Sequence, residues 1–171
     1  PMRLLAMTLD GVSADAGVQH GISVGLHLLN IVLLFTLAWL VLPPWSAVFA
    51  AAVFALHPMQ VEAVAYVSAR PDLLATGGVL LALLATTRGS CAGAVAGVVV
   101  ACLSKESAIV AWAVVPLWAV ATGATTFPVR RFVLIGGVSA SVMALVLGAR
   151  VAAREAMSGQ TFTISTDGTL A

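Results

Sequence analysis

Charge is what this sequence has least of. Across 171 residues only 9% are Asp, Glu, Lys or Arg, against 61% hydrophobic, where a soluble domain carries about 25% charged residues. A soluble fold would have nothing here to cover its surface with, whereas lipid in place of water suits such a chain. Neither sign of charge dominates: 8 basic and 7 acidic residues leave a formal net charge of +1. That gives no electrostatic hold on nucleic acid. The polar/apolar alternation of a membrane β-barrel is missing too, because the apolar runs are continuous. Cysteine is scarce: Cys91 and Cys102 lie in an Ala/Gly/Val run and read as small apolar helix residues rather than a disulfide or metal pair. The single asparagine, Asn30, precedes Ile-Val, so there is no N-glycosylation acceptor. A phosphate loop of the form G-x-x-x-x-G-K-S/T, a C-x-x-C pair, a metal-ligand cluster and a Ser-His-Asp arrangement are absent as well.

What remains is an all-α, polytopic membrane domain. Ile22 to Leu42 is an uncharged run of about 31 Å as a helix, enough to span a bilayer. Pro43-Pro44 ends it, with Trp39 and Trp45 placed as interfacial anchors. Further apolar stretches at Trp45–Leu56, Leu73–Thr87, Cys91–Leu103, Ala108–Ala121 and Phe132–Ala149 predict six membrane helices, several of them short. Gly89, Gly93 and Gly97 recur every four residues and predict a smooth face for close helix contact. The expected organisation is a flank over 1–20, a membrane domain over 21–149 and a polar tail over 150–171. The start at Pro1-Met2-Arg3 and the polar end TFTISTDGTLA read as those of a piece of a longer chain.

Six spans put alternate connections on alternate sides. One side receives His57, Glu62, Arg70, Asp72, Lys105, Glu106, Arg150 and Arg154; the other receives Arg88, Arg130 and Arg131. A count of basic residues places the first, richer side in the cytoplasm. Ionisable groups between membrane helices are costly and mark function by default. His57-Pro58 follows an apolar run and marks a helix boundary, because the residue before proline is pushed out of helical geometry. Val61, Glu62 and Val64 then form a short interfacial stretch anchored by Tyr66. Its plain reading is a linker with solvated charges, and Arg70 and Asp72, astride Pro71, can form a local ion pair of little worth when exposed. Lys105-Glu106 reads either as a solvated turn or as a phosphate-binding cation with an orienting carboxylate, Glu106 also being a partner for Arg70. Arg150 and Arg154 are snorkelling arginines or a grip on a lipid-linked phosphate. His27 and Asn30 share one helix face and, buried, need hydrogen-bond partners. An interhelical bond accounts for them more simply than a ligand does.

The run FALHPMQVEAVAYVSARPDLLA (Phe54 to Ala75), followed by LSKESAIV (Leu103 to Val110), resembles the membrane domain of the transmembrane and tetratricopeptide-repeat O-mannosyltransferases, a GT-C-type glycosyltransferase family. His27-Leu28-Leu29-Asn30 is similar to that family's H-L-V-N element, Arg3-Leu4-Leu5 to its R-P-L, and Thr166 to Ala171 to its closing D-N-P-A stretch. The resemblance implies a multi-pass endoplasmic-reticulum enzyme that transfers mannose from dolichyl-phosphate mannose to Ser or Thr of secretory proteins, with no other cofactor. It implies membrane lipid, a lipid-linked sugar and a protein acceptor as partners, and a repeat region in the full-length chain. It also places the motif-rich side in the lumen, against the charge count. Carried over, His57, Glu62, Arg70 and Asp72 become catalytic candidates, and Lys105, Glu106, Arg150, His27 and Asn30 substrate-binding ones. The sequence departs from the family at Leu4, Leu34 and Gln60, the last two standing where relatives carry histidine. The family's catalytic acid precedes the R-P-L element, so this piece alone is expected to be inactive. The alternative is a non-catalytic bundle, either a transporter fragment or a lipid-binding pseudoenzyme. Transporters gather ionisable groups at the bilayer midplane, whereas here they gather at one surface.

Overall fold

A computed structural model describes residues 16–123, with isolated helical positions between 137 and 152. Arg3, Arg150, Arg154 and most of the expected helix over Phe132–Ala149 and of the tail lie outside the described residues; the positions described there are helical. Six α-helices follow in order: α1 (Ala16–Val41), α2 (Pro44–Leu56), α3 (Pro58–Ala65), α4 (Arg70–Thr87), α5 (Cys91–Ser104) and α6 (Ala111–Ala121). Short 3₁₀ turns at Val67–Ala69 and Glu106–Val110 lead into α4 and α6. The described residues are thus all helix, turn and connection, as the continuous apolar runs predict.

Proline sets three of the helix starts. Pro44, Pro58 and Pro71 each occupy the first or second helical position, where a missing N–H costs nothing and φ is already helical. His57 is therefore extended, with φ −64° and ψ 130°, and ends α2 while starting α3. The two helices meet there at a bend of 53°. The α4–α5 turn closes differently. Gly89 takes φ 73°, the left-handed conformation that glycine adopts without penalty. Its N–H donates to the Thr86 carbonyl (2.9 Å) and the Ser90 N–H to the Ala85 carbonyl (2.8 Å), the paired bonds of a Schellman motif. The Ser90 hydroxyl then accepts from the Gly93 N–H at 3.3 Å and caps α5.

The α4–α5 hairpin is the centre of the bundle. A Cβ added at Gly78 would lie 2.7 Å from the Gly97 carbonyl and the Ala101 nitrogen; one at Gly97 would lie 2.6 Å from the Gly78 carbonyl and the Ala82 nitrogen. The backbones touch, which only hydrogen side chains allow. Gly93 also packs on Ala85. The expected glycine face thus exists in α5, while Gly89 serves the turn instead. Helix α1 lies along α4 through Leu37 and Leu80, and α6 joins through Val115, with the Trp118 indole N–H donating to the Thr87 hydroxyl at 3.0 Å.

The apolar core also takes in polar side chains, and many large apolar ones stay on the outside. The largest side chains without exposure include Arg70, Asn30, Thr86, Ser23 and Ser104, while Trp45 is 85% and Leu56 83% exposed. These polar groups sit among buried Leu, Val and Ala, and Phe49, Leu117 and Val120 face out. Among the described residues one helix, Gly17–Val41, is long and apolar enough to cross a membrane, or two spans are present if the bent α2–α3 pair counts as one. The expected six membrane helices are therefore not supported. The 14 residues of α5 and 11 of α6 reach about 21 and 17 Å, short of a hydrocarbon core of about 30 Å. Helix α4 has the length but opens on Arg70 and Asp72.

Candidate functional site

The helix directions bring most of the described ionisable side chains to one end. Helices α1, α4 and α6 start there, and α2 and α5 finish there. Between residues 16 and 123 the Asp, Glu, Lys and Arg residues are Glu62, Arg70, Asp72, Arg88, Lys105 and Glu106. Only Arg88, in the α4–α5 turn, sits at the opposite end. Three separate arrangements occupy the polar end.

The first is structural. Arg70 is fully buried at the start of α4, and its guanidinium donates to the Gln19 carbonyl at 3.0 Å. A buried charge is tolerated only when held by hydrogen bonds. This one ties the first turns of α1 and α4 across 51 residues of sequence. One level further in, the Asn30 amide donates to the Leu73 carbonyl at 2.9 Å, and its oxygen faces Gly77, where an added Cβ would come within 2.7 Å. Asn30 is thereby an interhelical clasp, as its position on an apolar helix requires.

The second is an ion pair. The Lys105 ammonium donates to the Asp72 carboxylate, joining the end of α5 to the start of α4. Asp72 stands in the first turn of its helix, where a negative charge is favoured by the helix dipole. The pair, with Thr76 and Ser107, lines a hollow of about 320 Å³. Asp72 therefore meets a lysine 33 residues away, in place of the local Arg70 partner that the sequence suggests. Glu106 is exposed beside it.

The third is a groove of about 370 Å³ between α1, the end of α2 and α3. All three of the chain's histidines, His20, His27 and His57, line it together with Gln60. The His57 Nδ1 accepts from the Met59 N–H at 3.2 Å as the cap of α3. An amide can only donate, so the neutral ring carries its proton on Nε2. The His27 Nε2 lies 3.4 Å from the Ala55 carbonyl, its ring stacks obliquely on Phe54, and its Nδ1 is buried without a protein hydrogen-bond partner. Among the described residues no group of three metal-ligating side chains converges on one point, so the groove is not a metal centre of that kind.

Of the nine sequence-derived candidates, His27 and His57 share this groove, Asp72 and Lys105 share the ion pair, and Arg70 and Asn30 are in the scaffold. Glu62 is exposed on α3 and does not line the histidine groove. Arg150 lies outside the described residues. His20, which sequence reasoning passed over, belongs to the groove. The signal that could have found it is its spacing of seven from His27, two helical turns on one face. No protein-family profile, curated protein or solved structure matches this chain.

Proposed function

We propose that the chain is part of a GT-C-type glycosyltransferase of the endoplasmic-reticulum membrane, which moves mannose from dolichyl-phosphate mannose to Ser or Thr of secretory-pathway proteins. The reading rests on the ordered motifs around His27, His57 and Lys105, and one structural observation supports it most. An apolar bundle collects five of its six described charged side chains at a single end, beside grooves large enough for a headgroup. A donor tethered in the bilayer is reached at that surface, where hydrogen-bond donors hold its phosphate and a base takes the acceptor proton. In this reading the polar end faces the lumen and the chain crosses the membrane more than twice, its shorter helices crossing as a packed group.

A second reading is favoured by a different observation. Lys105 already has Asp72, and Arg70 is folded into the interior. A bundle whose charges serve its own helices is what a non-catalytic subunit would need. Titration of dolichyl-phosphate mannose, beside free dolichol, against the detergent-purified full-length protein separates the two. Saturable binding that requires the phosphate-mannose headgroup is the expected result. Equal uptake of both lipids would leave the non-catalytic bundle in its place.

A further inference from the structure

The histidine groove does not end at His57. A second groove of about 450 Å³ runs along the outer face of α2 over Phe49, Val53 and Phe54, and reaches the same two residues, His57 and Gln60. The two share that pair of lining residues: a polar groove of three imidazoles adjoins an almost wholly apolar trough. We propose that they form one site for an isoprenoid phosphate, with the phosphate among His20, His27 and His57 and the first part of the chain over Phe49 and Val53. This rests on the lipid-donor reading above and places the donor's headgroup at the imidazoles rather than at Lys105.

Three observations carry the assignment. Neither groove has a carboxylate among its described lining residues, whereas an anion beside Lys105 would meet Asp72 in the same hollow. The His57 ring is fixed by the α3 backbone so that its free nitrogen is a donor. The His27 Nδ1, buried and without a protein partner, accepts in the neutral ring and donates in the imidazolium. In the imidazolium its Nδ1–H donates to a phosphate oxygen, the partner that it lacks within the protein. The apolar half argues for a lipid rather than a free anion. Phe49 and Val53 are exposed on a helix that ends at His57, so a chain lying on them brings its head to the imidazoles at the boundary.

The test uses farnesyl phosphate as probe on the full-length protein in detergent, with farnesol, inorganic phosphate and a diacyl phosphatidic acid as comparators. The variants are His20→Gln with His57→Asn, both exposed in the structure; asparagine keeps a cap for the Met59 N–H. Val53→Trp fills the trough, and Arg88→Gln, at the far end, is the control. Expected are a dissociation constant at least tenfold weaker in the double variant and in Val53→Trp, with Arg88→Gln at the wild-type value and thermal melts showing that all four fold. Farnesol binding as well as farnesyl phosphate, or inorganic phosphate or phosphatidic acid competing equally, overturns the site. So does loss on Lys105→Ala with the histidine variants unaffected. If the double variant still binds dolichyl-phosphate mannose normally, this placement fails and the donor reading stands; if the wild type binds neither lipid, both fail.

Discussion

Asn30 and Asp72 show how single polar side chains act in an apolar bundle. The Asn30 amide reaches the Leu73 carbonyl from a fully apolar stretch of α1. Asn30→Ala removes that bond together with the amide's only reason for burial, and interhelical bonds in membrane proteins are worth about 0.6–2 kcal/mol. Unfolding of the detergent-solubilised protein by sodium dodecyl sulfate should show a loss of about 1 kcal/mol; an unchanged midpoint would remove Asn30 from the scaffold. The Asp72–Lys105 pair is nearly half exposed on both sides, so a double-mutant cycle with Asp72→Asn and Lys105→Met should give a coupling below about 1 kcal/mol. A larger coupling would mean that the pair, not the histidine groove, dominates the polar end. The need of His27 and Asn30 for partners was legible, because buried amides and imidazoles on one helix face cannot go unbonded. The partner of Asp72 was not. Nothing local tells that the first turn of α4 turns Arg70 inward to Gln19 and leaves Asp72 to a lysine on the next helix. Even less could the sequence show that His20 and Gln60 line one groove, since they belong to elements separated by the whole of α2.

At the scale of elements, the α4–α5 hairpin depends on three glycines for two reasons. Gly78 and Gly97 let the backbones touch, and Gly89 supplies the positive φ of the turn. Gly97→Ala forces a methyl group against the Ala82 and Gly78 backbones, where nothing flexible can yield. Overpacking of this kind costs about 1–3 kcal/mol. Gly25→Ala, with open space around it, should be neutral or raise stability by up to about 1 kcal/mol through helix propensity. Thermal melts of the two variants in one detergent check the contrast, and equal shifts would contradict the packing described. Helix positions were readable from the apolar runs and from Pro43, Pro58 and Pro71, because these act within a few residues. Helix α1 begins at Ala16, two turns before the expected run, since the buried Gln19 and Ser23 carry its inner face back past the exposed Val18 and His20. The independence of the spans was not readable. A hydropathy run reports composition, whereas crossing also needs length, and α5 and α6 fall short of it.

Over the described residues the molecule is a bundle with Arg70, Asn30 and Thr86 buried in an apolar core and Trp45, Phe49 and Leu117 on its outside. Its two ends differ as much as its inside and outside do. In the proposed lumenal orientation of the polar end, a single cysteine at Ser68 is reached by a membrane-impermeant maleimide only after microsomes are opened. One at Arg88 is reached in sealed microsomes. The opposite pattern would restore the cytoplasmic placement that counting basic residues gives. Cys91→Ala and Cys102→Ala provide the background, both thiols being free. The most direct measurement of the central claim is mannosyl transfer itself. The full-length protein in proteoliposomes is given dolichyl-phosphate mannose and Ser/Thr peptides, and product mass is followed for wild type and for the His20→Gln, His57→Asn double variant. The account predicts peptides heavier by one hexose in the wild type and at least tenfold less product in the variant. No hexose on any peptide, with the protein folded and the donor intact, would contradict it.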